Sequence, residues 1–203
     1  MGLIYTLLYR LRITPWEQAA KDQQHAIERL LEREADERGK PGRALDLGCG
    51  SGRYSVMLAE RGWEVTGIDQ VGLAIKRAEK HASEHHVHVR FLVGDVTALD
   101  PNVVGGPYDL ILDVGCFHGL KNDERAAMGR GASRVASPNA SLLMMAFKPG
   151  SPKPLPHGAD EKDIARAFPG WEFITSESAS ADNLPGRLKK AAPTWYRFRR
   201  SAS

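Results

Sequence analysis

The stretch "LDLGCGSGRYS", Leu45 to Ser55, decides the fold. It joins the end of a strand-like segment to the start of a helical pattern through a loop in which Gly48, Gly50 and Gly52 alternate with other residues. Glycine permits positive φ angles and lets the backbone approach a ligand closely. Asp46 precedes the first glycine by two residues, where its carboxylate would repel a pyrophosphate but suits a cationic amine. The stretch therefore predicts a strand, a ligand-binding loop and a helix.

Outward from this stretch, strand and helix patterns alternate along the chain. This order predicts an α/β fold with a mostly parallel sheet and helices on both faces. The last two strands have no helix between them, so we expect them to pair antiparallel at one edge. Strands are predicted at residues 43–47, 63–68, 87–94, 108–113, 140–148, 171–178 and 194–200, and helices at 52–61, 71–82, 123–136 and 160–168.

The first part of the chain has a different character. Residues 1–39 are predicted to form an N-terminal arm and lid helix, and residues 40–203 the ligand-binding catalytic domain, together one globular domain. The opening "MGLIYTLLYRLRI" contains Arg10 and Arg12 and is shorter than the ~20 apolar residues of a membrane span. An arm packed on the domain and a peripheral membrane contact are the two interpretations of this segment.

Bulk composition excludes several classes of protein. The net charge of +3 is too small to indicate a nucleic-acid partner. Cys49 and Cys116 form neither a CxxC motif nor a disulfide framework, which favours a reducing cytoplasm. A cytoplasmic protein without nucleic acid is therefore expected, and the sequence leaves its oligomeric state open.

Three carboxylates are predicted at the ends of neighbouring strands. Asp46 belongs to the first strand, Asp69 ends the next, and Asp95 follows the third. An acidic residue in the position of Asp69 can accept hydrogen bonds from ribose hydroxyls. Together with the glycine loop, the three acids describe a nucleoside ligand with an amino acid attached. The alternative is that each acid only caps the helix or turn after it.

The segments "LDLGCGSGRYS", "VTGIDQ" and "GDVTAL" resemble motif I, the acidic loop and the adenine loop of class I S-adenosylmethionine-dependent methyltransferases. The resemblance covers roughly residues 40–200. It implies the Rossmann-like methyltransferase fold, with seven strands and an antiparallel last strand, and S-adenosyl-L-methionine as cofactor. The glycines would line its methionine and ribose, Asp46 would lie near the amino group, and Asp69 would bind the ribose hydroxyls. The implied cofactor-binding set is Asp46, Gly48, Cys49, Gly50, Gly52, Asp69, Gln70, Asp95, Val96, Asp113 and Val114.

The fourth strand and its loop, "DLILDVGCFHGL", would then lie between cofactor and acceptor. Enzymes that methylate base amines usually carry a polar-Pro-Pro-aromatic motif here, which this chain lacks. A small-molecule acceptor with a thiol, an aromatic hydroxyl or a heterocyclic nitrogen is therefore predicted. His118 and Asp113 are the candidate catalytic residues, with His118 polarising or deprotonating the acceptor, although a purely structural role stays open. Cys116 is interpreted as a wall residue, and no metal site is predicted.

The segment "TPWE" resembles the thiopurine, tellurite-resistance and thiol methyltransferase group. The resemblance implies that Trp16 covers the cofactor, and simple packing of this side chain is the alternative. Two other functions remain open. One is a catalytically silent cofactor-binding partner of another enzyme. The other is a nicotinamide-dependent oxidoreductase, which Arg53 and Asp46 disfavour.

Overall fold

The computed structural model describes residues 24–150, 156–179 and 193–202, with the backbone alone at 24 and 25. The N-terminal arm with Trp16 and the beginning of the predicted lid helix lie outside these residues. The helices are α1 (Gln24–Arg38), α2 (Arg53–Glu60), α3 (Gly72–Glu84), α4 (Pro101–Val104), α5 (Asn122–Val135) and α6 (Glu161–Ala167). The strands are β1 (Arg43–Leu47), β2 (Glu64–Asp69), β3 (Val89–Val93), β4 (Tyr108–Val114), β5 (Ala136–Ala146), β6 (Trp171–Ser178) and β7 (Thr194–Arg200).

The strands form one sheet in the order β3-β2-β1-β4-β5-β7-β6. The first five strands are parallel, and β7 runs antiparallel to both of its neighbours. This confirms the predicted α/β class and the antiparallel final pair. The order reverses between β1 and β4, and ligands of such sheets bind beyond the carboxyl ends of the strands at this point.

Some boundaries differ from the prediction. The strand β5 begins at Ala136, four residues before the predicted start, directly where α5 ends. Its early segment is held by Ser137, whose hydroxyl donates to the carbonyl of Tyr108 at 2.8 Å. The short helix α4 was not predicted, although Asp100 caps it and Pro101 occupies its first turn, which is a known start signal. Two 3₁₀ turns, Val96–Ala98 and Phe117–Gly119, were also missed.

Both faces of the sheet are covered, as expected for parallel strands. In β1, Leu45 and Leu47 pack into the cluster beneath α5, whereas Ala44 packs into the cluster shared with α1. All three side chains are inaccessible to solvent. This double burial holds the carboxyl end of β1, and with it the glycine loop, in a fixed place at the middle of the sheet.

The helix α1 crosses the sheet with its first residues toward the carboxyl ends of the strands. Arg38, at its end, donates to the carbonyl of Asp109 at 2.6 Å, near the start of β4. Arg29, near its start, forms a 3.8 Å ion pair with Glu177, at the opposite end of the sheet. Between them, buried Glu34 accepts from Arg197 at 2.5 Å. The predicted arm therefore precedes the end of α1 that faces the ligand-binding edge.

Candidate functional site

The glycine loop is closed by its own backbone hydrogen bonds. The amides of Gly48 and Cys49 donate to the carbonyl of Ile68 at 2.9 and 3.1 Å. The Gly50 amide donates to Asp69 at 3.0 Å, and the Gly52 amide to the Cys49 carbonyl at 2.9 Å. A phosphate-binding loop instead points such amides at its ligand. The loop therefore does not have the geometry of a pyrophosphate-binding loop.

Close approach explains two of the glycines. Gly48 has a φ of +71°, and a Cβ there would lie 2.6 Å from the Cβ of Cys116. Gly52 has a φ of +77°, and its Cβ would lie 2.8 Å from that of Ala78. The loop after β1 thus packs directly against the loop after β4 on one side and against α3 on the other. Any side chain at either glycine would force these segments apart.

A cleft opens at the carboxyl ends of β1, β2 and β3. It has a volume of about 580 Å³ including the solvent at its mouth. Among the residues that the structure describes, its lining includes three carboxylates and no lysine or arginine, so this part of the cleft favours a cationic ligand. The lining residues are Gly48, Asp69, Gln70, Gly94, Asp95, Val96, Thr97, Cys116, Leu120 and Glu124.

Asp69 and Asp95 cap the backbone, as one interpretation of the sequence predicted, and also line the cleft. Asp69 accepts from the amides of Gly50 and Val71 at 3.0 and 2.8 Å. Asp95 accepts from the amide of Thr97 at 2.8 Å. Burial raises the pKa of Asp69, and its two backbone hydrogen bonds oppose that shift. Each carboxylate oxygen can accept more than one hydrogen bond, so both side chains retain capacity for a ligand.

Asp46 and Asp113 lie behind the cleft wall and not on it. Asp46 is 2% exposed and accepts from the Ser55 hydroxyl at 2.6 Å. Asp113 is inaccessible and accepts from the amides of Cys116 and Phe117 at 3.1 and 3.0 Å. Burial raises the pKa of both carboxyls to about 7, against the effect of these hydrogen bonds. Their positions allow them to brace the two loops that meet at the cleft.

The predicted cofactor-binding residues therefore separate into two layers. The cleft wall includes Gly48, Asp69, Gln70, Asp95 and Val96. The other predicted residues within the described part of the chain support this wall from behind or beside it: Asp46, Cys49, Gly50, Gly52, Asp113 and Val114. Gly94, Thr97, Leu120 and Glu124 also line the cleft and were not predicted. Glu124 accepts the backbone N–H of Lys121 at 2.7 Å at the start of α5, and no local pattern marks these four as ligand-binding residues.

Cys116 also lines the cleft, as predicted. Burial, and after it the charge of Asp113, raises the pKa of the Cys116 thiol well above its ordinary value. A thiol in this state is a poor nucleophile, because the thiolate is the reactive form. The described residues contain no cluster of three or more His, Cys, Asp or Glu side chains that could hold a metal ion, and no helix among them has the length and apolar character to cross a membrane.

His118 lies in the chain between two cleft residues, Cys116 and Leu120, and is itself 4% exposed. The backbone N–H of Phe147 donates to its Nδ1 at 3.0 Å. The ring stacks on the Phe147 ring, with centroids 5.0 Å apart and planes 14° from parallel. Burial, and after it the charge of Arg125, lowers the pKa of His118 to about 4. This side chain is thus held in one orientation and is neutral at ordinary pH.

Arg125, which the sequence analysis did not identify, connects the loop of His118 to two other segments. Its guanidinium donates to the carbonyl of His118 at 3.1 Å and to that of Gly158 at 2.6 Å. It also lies 5.0 Å from the centroid of the Phe117 ring and 3.8 Å from a carboxylate oxygen of Asp163. Arg125 therefore fixes the loop after β4 against the segment that leads into α6.

Comparison with known proteins agrees with this geometry. A family profile described as a methyltransferase domain matches residues 44–139. An uncharacterised methyltransferase of Schizosaccharomyces pombe is 32% identical over 103 residues, which cover 51% of this chain and 70% of that protein. The chain belongs to the class I S-adenosylmethionine-dependent methyltransferases. This confirms the predicted family, its enzymatic activity and the cofactor that defines it.

Two further proteins resemble this methyltransferase over more of its length. The 2-heptyl-1-hydroxyquinolin-4(1H)-one methyltransferase of Mycobacteroides abscessus is 32% identical over 159 residues, covering 75% of this chain and 66% of that one. The crystal structure of magnesium protoporphyrin IX methyltransferase from Synechocystis, with bound S-adenosylhomocysteine, has a TM-score of 0.70 at 20% identity, covering 88% of this chain and 83% of the other. The second likeness concerns the fold.

Proposed function

We propose that this methyltransferase transfers the methyl group of S-adenosylmethionine to a small-molecule acceptor bound between the loops after β4 and β5. The observation that carries the proposal is the cleft beyond β1, β2 and β3, whose lining within the described part of the chain includes Asp69, Asp95 and Glu124 and no basic side chain. S-adenosylmethionine has a cationic sulfur and an amino group, so these residues fit it. A pyrophosphate cofactor would meet the same carboxylates without a compensating cation.

The proposed binding roles follow the placement of the residues. Asp69 accepts hydrogen bonds from the ribose hydroxyls, and Gln70 lies beside it. Asp95 and Val96 flank the adenine, and Val96 is 6% exposed and offers an apolar contact. The backbone at Gly48 runs along the methionine portion. Asp46 lies beneath the loop, where it braces the segment that runs along the amino group.

The remaining predicted residues support this arrangement. Asp113 holds the turn that carries Cys116 to the cleft wall, and Val114 ends the strand before that turn. Trp16, in the arm that precedes α1, covers the cofactor in this proposal. The domain division at residue 40 is part of the same proposal, with the arm and α1 closing over the catalytic domain.

The bound cofactor supplies a methyl group that is already activated. The task of the protein is then to align the acceptor with the methyl–sulfur axis and to keep water away. The loop packing at Gly48 and Cys116 fixes one wall of this path. Cys116 is a wall residue here, since its thiol is neutral and the methyl donor is the cofactor.

The proposed acceptor is a small molecule with a thiol, an aromatic hydroxyl or a heterocyclic nitrogen. The relative from Mycobacteroides abscessus is named for a hydroxyquinolone of this kind. The loop after β4 reads Asp113-Val114-Gly115-Cys116 and lacks the paired prolines expected for base amines. A nucleic-acid acceptor is therefore not proposed.

The experiment is a radiolabelled-methyl assay on the purified chain with separate panels of thiols, phenols, N-heterocycles and RNA. We expect label in one of the first three classes and none in RNA, and Asp69→Asn should remove most of it. Labelling of RNA alone would contradict the small-molecule proposal. Tight cofactor binding with no labelled product in any panel would instead favour a catalytically silent partner of another enzyme.

A further inference from the structure

His118, which lies in the loop after β4 between two residues that line the cleft, has asymmetric hydrogen bonding. Nδ1 of His118 accepts the N–H of Phe147 at 3.0 Å, so Nδ1 carries no proton. In a neutral imidazole the proton then resides on Nε2, which becomes a donor. The stacking on Phe147 prevents the ring from rotating to exchange the two nitrogens. The backbone of β5 thus selects the tautomer of His118.

The other nitrogen is left for a ligand. Within residues 24–150, 156–179 and 193–202, Nε2 makes no hydrogen bond. It is also not fully enclosed, since the buried polar atoms without a partner in these residues are those of Arg38, Trp195 and Arg199. Gly115 lies beside Nε2. A Cβ added at Gly115 would be 3.6 Å from Nε2 and 3.9 Å from the methyl carbon of Met145. Gly115 has no side chain and the Met145 thioether is only a weak acceptor, so a stronger acceptor atom of the substrate is the partner that fits.

The charges around the ring are unlike those around the cofactor cleft. The guanidinium of Arg125 donates to the carbonyl of His118 and is the charge that acts on the ring. From α6, Asp163 lies 3.8 Å from that guanidinium and compensates part of its charge. Asp113, in the same loop region, is buried and accepts from the amide of Phe117. The potential at His118 thus favours an anionic group, whereas the cofactor cleft favours a cation.

We infer that His118 donates a hydrogen bond through Nε2 and does not act as a base, and that the acceptor binds with its oxygen or sulfur already ionised. The inference rests on the proposed methyl transfer and adds the ionisation state of the acceptor. The ionised atom forms a bond to the methyl carbon as the bond from that carbon to the donor sulfur breaks. The electron pair stays on the donor sulfur, and no proton has to be removed.

The low pKa of His118 agrees with this role, because a general base works best when its pKa is near the working pH. A thiol, with a pKa near ~8.5, forms its anion more readily near neutral pH than a simple phenol, with a pKa near ~10, whereas an alkylamine is a protonated cation there. The expected acceptor is therefore an acidic sulfur or oxygen compound. Arg125 acts as a positioning residue, since it holds the His118 loop through two carbonyl groups and touches no reactant.

Two substitutions separate the functions of the two nitrogens. In His118→Asn, the amide oxygen replaces Nδ1 as acceptor for Phe147 but cannot reach as far as Nε2. In His118→Gln, the amide N–H replaces the Nε2 donor but not the Nδ1 acceptor. Neither variant can act as a base. If His118 donates, His118→Gln retains most turnover and His118→Asn loses roughly 10-fold to 100-fold in kcat/KM for the acceptor, as expected for a hydrogen bond to a charged atom.

Other roles give other patterns. A base role predicts that both variants lose activity equally, and a purely structural role predicts that His118→Asn is active and His118→Gln is not. Either pattern would overturn the inference. Nitrogen NMR of the protein without cofactor gives an independent readout: we expect His118 to show a protonated Nε2 and a bare Nδ1 from about pH 8 down to about pH 5. A doubly protonated ring within that range would contradict it.

The acceptor is tested with 4-nitrothiophenol, thiophenol, 4-nitrophenol and phenol at several pH values. We expect the midpoint of each pH–rate profile to follow the acidity of the acceptor, in the wild type and in His118→Gln alike. If all four acceptors give the same pH midpoint, and if this pH dependence disappears in both variants, the inference is overturned.

Binding of S-adenosylhomocysteine, measured by calorimetry, should be unchanged in both variants. If the wild type binds it and methylates only neutral amines, the inference is wrong while the cofactor assignment stands; if the wild type does not bind it, the proposed function itself fails.

Discussion

The two halves of the cleft are held in place by different means. On the half proposed to hold the cofactor, positive φ angles and backbone amides set the loop, and the Asp69 carboxylate fixes it through the amide of Gly50, 19 residues earlier. On the acceptor half, buried side chains set the loop, and their partners are distant in sequence, as with His118 and Phe147 or Arg125 and Gly158. The first half is a motif that enzymes with different acceptors can share, whereas the second half can determine which acceptor this enzyme selects.

The largest effect is expected where the two halves touch. Gly48→Ala adds a Cβ 2.6 Å from that of Cys116 at a φ of +71°, which should cost roughly 3–5 kcal/mol in overlap and backbone strain. We expect loss of S-adenosylhomocysteine binding in calorimetry and a lower melting temperature. The control is Gly39→Ala, at a position with a similar positive φ of +77° but open space around it. It should lower stability by about 1 kcal/mol and leave binding intact; equal loss in both variants would contradict the role of this contact.

Removing Arg125 should damage the acceptor half alone. Arg125→Met leaves the carbonyls of His118 and Gly158 without their donor, which should lower the free energy of unfolding by about 2–4 kcal/mol. Acceptor turnover should fall while S-adenosylhomocysteine affinity changes less than about 3-fold at a temperature where the variant is folded. Arg130→Met, on an exposed position of the same helix, should change neither by more than about 0.5 kcal/mol. Equal loss of cofactor binding and turnover in Arg125→Met would argue against two separable halves.

The buried carboxyls and the histidine should affect stability with opposite dependence on pH. The pKa of Asp46 and Asp113 rises from 3.8 to about 7 on folding. The folded protein therefore keeps protons that the unfolded chain has released, and stability falls from about pH 4 to about pH 7. The pKa of His118 falls from 6.5 to about 4, so its contribution rises with pH over that interval.

Denaturant titrations at about pH 5 and about pH 8 measure the balance. Since two carboxyls oppose one imidazole, we expect the protein without cofactor to be more stable at the lower pH. Asp113→Asn should make the difference smaller by on the order of 1–3 kcal/mol, and His118→Gln should make it larger. A difference of unchanged size in both variants would show that these groups do not titrate as their burial requires.

The smallest effect is expected from replacing two aspartates that both cap a short helical turn. Asp95 and Asp100 each accept the amide two residues later, at 2.8 and 2.9 Å, and begin a short helical turn. Each change to alanine should cost about 1 kcal/mol of stability as a lost cap. Only Asp95 lines the cleft, so only Asp95→Ala should also weaken S-adenosylhomocysteine binding, by roughly 10-fold. Equal binding in the two variants would restrict Asp95 to its capping role.

How much the sequence predicted follows the same division. The sheet, the glycine loop and the carboxylates at strand ends were predictable, because hydrophobic periodicity and glycine spacing are local signals. The state of His118 was not, because it depends on the N–H of Phe147, 29 residues away. The ion pair between Glu34 and Arg197 spans 163 residues, and nothing near either residue in sequence indicates it. Local pattern thus predicted the fold and the carboxylates at the strand ends, and packing determined the surroundings of His118.

The central claim is that the carboxylate-lined cleft binds S-adenosylmethionine through Asp69. The most direct test is calorimetric titration of S-adenosylhomocysteine into wild type, Asp69→Ala and Asp109→Ala, with NADH as a second titrant. Asp109 is the matched control, since it also accepts a backbone amide, that of Arg43 at 3.0 Å, but at the opposite end of the sheet. We predict one S-adenosylhomocysteine per chain for wild type and Asp109→Ala, affinity at least roughly 100-fold weaker for Asp69→Ala, and no NADH binding. Unchanged affinity in Asp69→Ala, or tight binding of NADH by the wild type, would contradict the account.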